Sequence, residues 1–551
     1  MWDSLDNTET VGVRFYEDLP NVPYMSVTDF YNHFYLVNTS LSEGMTFKQE
    51  ENKYTVTNFC EDAAVFDVDA DTIVMDNMAR FIVLACDLQS ENIDGLNPDY
   101  PYAKLSHASD PEEAAAKVLA LADYHIDLKG DQTGVFAPLP TLADIFAGPS
   151  CYYVVYAGEK IYVRDFVGLY FESVMDEDPD YFTAVKADRP EDLARYTYDE
   201  LCFNIDLWYG RPGQELIHDE LMNKPLDQVL TEQYPEIREK LLAGDFETFY
   251  AGLIHLFSGL LFDGGHTGMG CDALIDEEFE LSTGIYKDMR AKDYGRPYNE
   301  TAGRAAQGVI REETREAVYK GNTYVEQGDT AMISLETDFM IDVDGWKDFY
   351  AGKGKLPLEG DTVGTVLAGL ERASQNPEIK NIIIDDSCNG GGNDIAMLAI
   401  EWLMTGKGYI RDKNELTSQF NIKTEVFDLN HDGRIDESDE SPYTGFRYGI
   451  LTSRGSFSCG NAFPWFMHEH GAMILGEKSG GGACAIRISS AGGIEIINSS
   501  ASSCTVTDEG GTVDNGCPVD VELTTDGENP YENFYDLSIL SEQMNKYFGE
   551  P

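Results

Sequence analysis

The stretch SFSCGNAFPW, residues 456 to 465, brings two hydroxyl groups and a thiol together, so Ser456, Ser458 and Cys459 are candidate nucleophiles. A thiolate is intrinsically the better nucleophile, whereas a small apolar thiol often only packs in a turn. The residue types therefore leave open a serine nucleophile, a cysteine nucleophile and a purely structural turn.

The pattern around this stretch predicts a strand, a turn and then a helix. Asn461 is the expected N-cap and Pro464 falls in the expected first turn. Ser458 and Cys459 would then immediately precede a helix N-terminus, where the macrodipole stabilises negative charge on a nucleophile or an oxyanion.

A second candidate is IIIDDSCNGGGND, residues 382 to 394, where an apolar strand ends in three glycines before a helical pattern. Glycines allow close backbone approach and can point N–H groups into a cavity, as an oxyanion hole or a phosphate cradle requires. The phosphate interpretation is disfavoured because no GxxxxGK[ST] pattern follows. A plain turn between strand and helix remains open.

The third candidate is GLLFDGGHTGMG, residues 259 to 270, which ends an apolar helix with His266 in a glycine-rich turn. This pattern predicts an exposed histidine suited to proton transfer, or simply a surface residue. His468 and His470 are two positions apart on a predicted helix. They would face different directions, which argues against a shared metal site.

The charge balance excludes some classes of partner. There are 98 Asp and Glu against 39 Lys and Arg, giving a formal charge of -59. Such a chain repels nucleic acid, whereas basic substrates and divalent cations are attracted. Ten cysteines form no CxxC pair, which excludes zinc ribbons and thioredoxin-like motifs. We find no apolar run long enough for a transmembrane segment.

Several domains are needed to position these residues, because 551 residues exceed one ordinary core. Residues 1–100 predict a small N-terminal α+β domain. Residues 101–271 predict a mainly helical region carrying the histidine, from patterns such as DPEEAAAKVLALADYH and EIREKLLAGDFETFYAGLIHLFSGLLF. Residues 272–327 are interpreted as a connector, and residues 328–551 as the α/β domain.

The α/β prediction rests on three consecutive segments. DTAMISLE is typical of a buried strand, DTVGTVLAGLERASQ of an amphipathic helix, and EIKNIIID of a second strand. A strand, a helix and a strand at this spacing indicate a crossover unit with parallel strands.

Taken in order, DGGHT, IIIDDSCNGGG and FSCGNAFP resemble the C-terminal processing, or tail-specific, peptidase family. They are most similar to its tricorn-type branch, to which the chlamydial secreted protease belongs. The resemblance covers about residues 240 to 525 and implies a crotonase/ClpP-like catalytic core. It also implies an exported location, whether secreted or lipid-anchored, and a peptide or unfolded protein as substrate.

Carried over by position, the resemblance implies Ser458 as the nucleophile and His266 as the general base. It implies that Cys459 contributes its backbone N–H to the oxyanion hole, together with an N–H from Gly390 or Gly391. The acid that orients the histidine corresponds to Asp514 in TVDNGCPVD, with Glu509 as the alternative. An acidic partner would raise the pKa of His266 to or above its free value.

The resemblance is incomplete in one loop. The bacterial tail-specific branch uses a lysine base in a loop similar to GEKTFGKG, whereas this chain has GEKSGGGA, with Gly482 in place of that lysine. Lys478 matches a noncatalytic lysine. This difference favours a Ser-His-acid mechanism over a Ser-Lys dyad.

Independently, DLNHDGRIDESD at residues 428 to 439 fits an EF-hand loop with Gly433 at its turn position. It predicts a structural calcium ion. The expected ligands are Asp428, Asn430, Asp432, the Arg434 carbonyl, Asp436 and Asp439.

The sequence thus predicts a serine endopeptidase. The alternatives are a catalytically inactive binding protein that keeps the peptidase fold and a calcium loop, and a cysteine hydrolase using Cys459.

Overall fold

The structure is a computed structural model. It describes residues 10–34, 45–58, 62–82, 103–109, 116–165, 179–269, 287–288, 291–335, 338–427 and 436–549. The strands, numbered in chain order, are β1 Arg14–Tyr16, β2 Leu19–Ser26, β3 Thr46–Glu50, β4 Lys53–Thr57, β5 Ala63–Asp67, β6 Thr72–Met75, β7 Ala103–Ser109, β8 Lys117–Ala120, β9 Lys129–Asp131, β10 Gly134–Pro138, β11 Tyr152–Ala157, β12 Lys160–Asp165, β13 Gly268–Met269, β14 Tyr324–Gln327, β15 Thr330–Ser334, β16 Asn381–Asp385, β17 Gly408–Asn414, β18 Gln419–Phe427, β19 Arg447–Thr452, β20 Met473–Gly476, β21 Cys484–Ala491, β22 Ile494–Thr505 and β23 Val521–Glu522.

The α-helices of the described residues are α1 Val27–Phe34, α2 Met78–Phe81, α3 Leu139–Leu142, α4 Pro179–Val185, α5 Glu191–Trp208, α6 His218–Leu221, α7 Leu226–Gln233, α8 Pro235–Leu241, α9 Phe246–His255, α10 Arg296–Tyr319, α11 Val343–Tyr350, α12 Thr362–Ser374, α13 Asp394–Thr405, α14 Cys459–Glu469 and α15 Leu537–Tyr547. None of these described helices is both long enough and apolar enough to cross a membrane.

The C-terminal part contains the predicted α/β core. A six-stranded sheet has the order β14-β15-β16-β19-β20-β23, and every pair except β14 with β15 is parallel. The predicted crossover of β15, α12 and β16 is confirmed, and Asp361 caps α12 by accepting from Gly364 N–H. Because the strands are parallel, the carboxyl ends of β16 and β19 meet at one edge.

A second sheet joins the histidine region to this core. Its order is β13-β22-β17-β18-β7, and β21 pairs with β22. Strand β13 begins two residues after His266, and its Gly268 and Met269 pair with Ile497 and Ile496 of β22. The long β21–β22 hairpin therefore holds the chain that carries the histidine.

The prediction of a mainly helical region over residues 101–271 is wrong for its first part, where β7 to β12 lie. Within DPEEAAAKVLALADYH, residues 117–120 form β8 and pair with β6. Successive side chains of this segment point to opposite faces of the sheet, as in a strand: Val118 is 53% exposed and Leu119 only 1%. The predicted helices in the second quoted segment are confirmed as α8 and α9, separated by the N-cap Asp245.

Two predicted boundaries also change. The sheets of the N-terminal part extend beyond residue 100, because β2 pairs with β10 and β6 with β8. The connector over residues 272–327 contains α10 and β14, both of which belong structurally to the α/β core. Arg315 of α10 lies 3.2 Å from the carboxylate of Asp385 at the end of β16, and β14 forms the edge of the sheet.

Candidate active site

Three loops converge at the carboxyl edge of the parallel sheet: the turn after β16, the turn after β19 and the glycine-rich loop before β21. Phe457 N–H donates to the Asn389 carbonyl at 3.1 Å, and Ser458 N–H donates to the Gly481 carbonyl at 2.9 Å. Ser453 Oγ donates to the Ser387 carbonyl at 2.6 Å. The turn that carries the candidate nucleophiles is therefore bonded to both of its neighbours.

Ser456 has a structural role in this turn. Its side chain is fully buried, its Oγ donates to the Asp386 carbonyl at 2.8 Å, and it accepts from Ser453 N–H at 3.0 Å. The first bond links the turns after β16 and β19, and the second lies within the turn after β19. The hydroxyl is thus already used within the fold.

Ser458 differs from Ser456 in backbone and side chain. It is the N-cap of α14, with φ 53° and ψ -122°, and its half-buried hydroxyl has no hydrogen bond within the described part of the chain. A serine in this conformation costs about 1–3 kcal/mol and persists only where the surroundings fix it. Strain of this kind, with an unused hydroxyl at a helix N-terminus, points to a functional residue.

The expected N-cap, Asn461, lies inside α14 instead. Its side-chain amide donates to the Val513 carbonyl at 3.0 Å, and its Oδ1 accepts from Ser479 Oγ at 2.7 Å. The helix begins three residues earlier than predicted, with Ser458 as its N-cap, because the neighbouring loops bind the Asn461 side chain and leave it unavailable as a cap.

Cys459 is held as a neutral thiol. Its Sγ donates to the Gly392 carbonyl at 3.3 Å, and burial raises the pKa of this thiol far above its ordinary value. A thiolate is the reactive form of cysteine, so this position disfavours a cysteine nucleophile. Its backbone N–H is at the first residue of α14, beside Ser458.

The glycines after Asn389 lie against this helix start. Gly391 has φ +122°, and a Cβ there would stand 2.6 Å from the Ser458 Cβ and 3.2 Å from the Cys459 nitrogen. Only glycine permits so close an approach in this backbone conformation. The structure therefore brings Gly391, Ser458 and Cys459 together.

The N–H groups of the two glycines predicted for the oxyanion hole already have side-chain acceptors. Gly390 N–H donates to Asp338 Oδ1 at 2.7 Å, and Gly391 N–H donates to Asn389 Oδ1 at 2.9 Å. Asn389 is fully buried, whereas Asp338 is exposed. Sequence patterns gave no indication of either acceptor.

His266 lies next to the nucleophile turn but is less exposed than predicted. Its ring packs edge-on against that of Phe457 with 4.9 Å between centroids, and its Nδ1 is buried without a hydrogen-bond partner among the described residues. No hydrogen bond between His266 and Ser458 occurs in this geometry. Resting enzymes often have long or misaligned catalytic contacts, so the position remains compatible with proton transfer.

Burial lowers the pKa of His266, while the charge of Asp263 and a backbone hydrogen bond with Cys484 oppose that shift. The expectation that an acidic partner would raise this pKa is therefore wrong in direction. Desolvation disfavours the imidazolium more strongly than the neighbouring carboxylate stabilises it.

Asp263 shapes the histidine loop and was not predicted. It is 1% exposed, and its Oδ1 accepts from the backbone N–H groups of His266 at 3.1 Å and Thr267 at 2.8 Å. Its Oδ2 accepts from Ser499 Oγ at 2.6 Å, which anchors the loop to β22. An Asp before two glycines is a recognised turn signal and could have indicated this role.

Asp514 is buried beside the glycine-rich loop rather than bonded to the histidine. Its Oδ1 accepts from Gly482 N–H at 2.9 Å and Ala483 N–H at 2.8 Å, and the described contacts include no hydrogen bond to His266. Burial raises the pKa of Asp514 to about 7, although these two bonds oppose the shift.

Three further features complete the surroundings of Asp514. Gln214 Nε2 donates to the Asp514 carbonyl at 2.9 Å, a link with no sequence signal. Glu509 is exposed on a turn whose neighbour Asp508 bonds Tyr409 Oη at 2.9 Å. Lys478 is also exposed.

The calcium prediction falls mainly outside the described residues, which include neither Asp428, Asn430, Asp432 nor Arg434. Of the remaining expected ligands, Asp436 and Asp439 form a capping box, in which Asp436 N–H donates to Asp439 Oδ2 at 2.9 Å. Within the described ranges, no group of three His, Cys, Asp or Glu side chains could hold a metal ion.

Residues 356–522 match the model of peptidase family S41. This match confirms the predicted resemblance to tail-specific peptidases. It includes Ser458, Cys459 and Asp514, whereas His266 lies outside it. No curated protein matches the chain.

Solved structures of low similarity include peptidases of this kind. The photosystem II D1 C-terminal processing protease aligns over 39% of this chain and 49% of its own length, with 13% identity and a TM-score of 0.26. A Parabacteroides merdae protein assigned as a peptidase aligns over 65% and 97%, with 14% identity and a TM-score of 0.39. The tricorn protease aligns over 92% and 46%, with 11% identity and a TM-score of 0.25. The chain thus spans about half the length of the processing protease.

Proposed function

We propose that this chain is a serine endopeptidase in which Ser458 is the nucleophile and His266 the general base. The observation that carries the proposal is the backbone of Ser458, a non-glycine residue with φ 53° at a helix N-terminus, with Gly391 against its Cβ. The family match over residues 356–522 supports the peptidase class, and the parallel strand order is compatible with a crotonase-like core.

In the proposed reaction, Ser458 Oγ attacks the scissile carbonyl while His266 takes its proton. His266 then returns that proton to the leaving amine, and water resolves the acyl-enzyme by the same route. The imidazole has to be neutral to accept a proton, and its burial favours that form. The missing hydrogen bond would have to form when substrate binds, and the His266 ring already packs on Phe457, the residue before Ser458.

The oxyanion would be held by Cys459 N–H and by one N–H of the glycine turn. Gly390 is the better second donor, because its present acceptor is the exposed carboxylate of Asp338, which can move away. The acceptor of Gly391 N–H is the buried side chain of Asn389, which is itself fixed by a 2.8 Å bond to Asp386.

Two carboxylates would act as positioning groups. Asp263 holds the backbone of the histidine loop, and Asp514 holds the amides of Gly482 and Ala483, next to Cys484, whose backbone favours the charged form of His266. Asp514 would be the acid of the mechanism, acting through this loop rather than by direct contact.

Fluorophosphonate labelling followed by peptide mapping tests the proposal. We expect modification of Ser458 in the wild-type protein and none in Ser458→Ala. Labelling of Ser456, or alkylation of Cys459 with loss of activity, would contradict it. An unlabelled, folded protein that cleaves no unfolded substrate would indicate the binding-protein alternative.

We also propose that residues 428–439 bind one structural calcium ion, as the EF-hand spacing indicates. Excess chelator should lower the melting temperature, and Asp428→Ala should remove that sensitivity. An unchanged melting temperature and no bound metal by elemental analysis would leave an acidic turn. An extracytoplasmic location is proposed on the family resemblance, and cell fractionation tests it.

A further inference from the structure

Seven cysteines of the described residues are free thiols, and two of them face each other beside the candidate active site. Cys484 begins β21 and Cys504 lies near the end of β22. Their Sγ atoms are 2.6 Å apart, and the two side chains are 2% and 7% exposed. A buried contact between two thiols at this distance requires an explanation.

The backbone geometry suits a covalent bond between them. Cys484 and Cys504 are cross-strand partners of an antiparallel pair, with a register irregularity next to Cys484. Cross-strand partners have Cα atoms about 4.5–5.5 Å apart. Disulfides need a Cα separation of about 4.4–6.8 Å, so no backbone movement is required.

The pair also lies where a cross-link would affect the candidate site. Gly482 and Ala483 immediately precede Cys484, and their backbone N–H groups donate to the carboxylate of Asp514. The Cys484 backbone favours the charged form of the His266 imidazole and so acts on its pKa. On the other strand, β22 pairs with β13, which begins two residues after His266. A bond between the two sulfur atoms would tie together the segments that position the proposed base.

We infer that Cys484 and Cys504 form a disulfide that fixes the glycine-rich loop to β22 beneath His266. In the reaction the two thiols lose two protons and two electrons as the sulfur–sulfur bond forms. The electrons reduce a disulfide of low molecular weight, such as oxidised glutathione, to two thiols. Because both thiols are buried, exchange takes place during folding or local opening.

Peptide mapping tests the bond without reference to activity. The protein is purified without reductant, alkylated under denaturing conditions and digested with trypsin. We expect the peptide of residues 479–487 linked to that of residues 488–546, with loss of the link on reduction. Cys504→Ser should abolish the link, and Cys517→Ser, a buried cysteine on the same peptide, should preserve it.

A glutathione redox titration gives a second measurement. The oxidised wild-type protein should melt several degrees above the reduced one, whereas Cys504→Ser and Cys484→Ser should not respond. Two alkylated thiols after equilibration with oxidised glutathione, or a link that survives Cys504→Ser, would overturn the inference.

Only the effect on catalysis rests on the proposed function. Reduction should lower turnover several-fold in the wild type and leave Cys504→Ser unchanged. A linked protein without hydrolytic activity would contradict the proposed function and leave the disulfide intact. An active protein without the link would contradict the disulfide and leave the proposed function standing.

Discussion

The nucleophile turn and the histidine loop lie side by side, but the fold holds them in different ways. The turn around Ser458 is bonded to the loops that follow adjacent parallel strands of the same sheet. The loop around His266 depends on one buried carboxylate, that of Asp263, and on the two-residue strand β13. Their described contact is the ring packing of Phe457 on His266.

Because of this difference, we expect substitutions in the two regions to have different effects. Removal of the Ser458 hydroxyl should affect chemistry without loosening the fold, because that hydroxyl makes no described hydrogen bond and other groups anchor the turn. Changes at the histidine loop should affect chemistry through position and protonation. Substitutions can therefore be chosen to act on one region at a time.

The largest expected effect is that of Ser458→Ala. Hydrolysis of an unfolded protein substrate should fall on the order of 10⁶-fold, with a nearly unchanged melting temperature, because the lost hydroxyl has no described hydrogen bond. Ser456→Ala is the matched control. It removes two buried hydrogen bonds and should destabilise the fold by about 1–3 kcal/mol. The reverse pattern would make Ser456 the functional serine.

The turnover of His266→Ala should be several orders of magnitude below that of the wild type. His468→Ala is a suitable control, because that side chain is 41% exposed and lies on α14 away from the loop. If His266→Ala stays active while Lys478→Ala is inactive, the base is a lysine and the assignment to the tricorn-type branch is wrong.

The pH profile tests the same residue. Since burial lowers the pKa of His266, the neutral base persists below the ordinary value of about 6.5. The activity governed by this group should rise with pH through an apparent pKa below 6.5. A histidine limb above 6.5 in the pH profile would mean that a carboxylate outweighs desolvation in the active state.

The sequence predicted the nucleophile side of this comparison better than the base side. The strands and helix around residues 330–385 have strong apolar patterns, and both strands are buried throughout, so local rules sufficed. The prediction of Asn461 as the N-cap is wrong because the Asn461 side chain makes tertiary hydrogen bonds with Val513 and Ser479. Nothing in the local pattern encodes those contacts.

Predictions for the histidine loop failed where distant residues decide the outcome. Asp263 reaches Ser499 of β22, and Gln214 reaches Asp514, over more than 200 residues of chain. The pKa of His266 depends on burial that no spacing rule reports. β8 was mistaken for a helix because apolar residues at helical spacing also fit an alternating strand.

Asp514→Asn should cut turnover by about 10²–10⁴-fold while the fold stays intact. The pKa of Asp514 is raised to about 7, so its charge is lost as the pH falls through 7. Any change in activity around pH 7 that depends on this charge should be absent in the variant. The raised pKa also means that ionisation of Asp514 destabilises the fold as the pH rises through about 7. The melting temperature of the variant relative to wild type should therefore be higher at pH 8 than at pH 5.

Asp263→Asn provides the contrast for Asp514. Its carboxylate anchors the loop through five acceptor bonds, from Gly265, His266, Thr267 (two) and Ser499, so this variant should lose stability together with activity. Equal stability loss in both variants would show that Asp514 is only a structural anchor. An active, stable Asp514→Asn variant would remove it from the mechanism.

The smallest expected effect concerns Asp338, whose carboxylate accepts from Gly390 N–H at 2.7 Å. If this N–H serves the oxyanion, the carboxylate competes with it, and Asp338→Ala should raise kcat a few-fold with little change in KM. Asp344→Ala is the control, because it removes the same charge from a side chain that is 93% exposed. A fall in kcat/KM for both variants would mean that negative charge attracts basic substrates. A fall for Asp338→Ala alone would mean that Asp338 shapes the glycine turn, and the second oxyanion donor would then have to come from elsewhere.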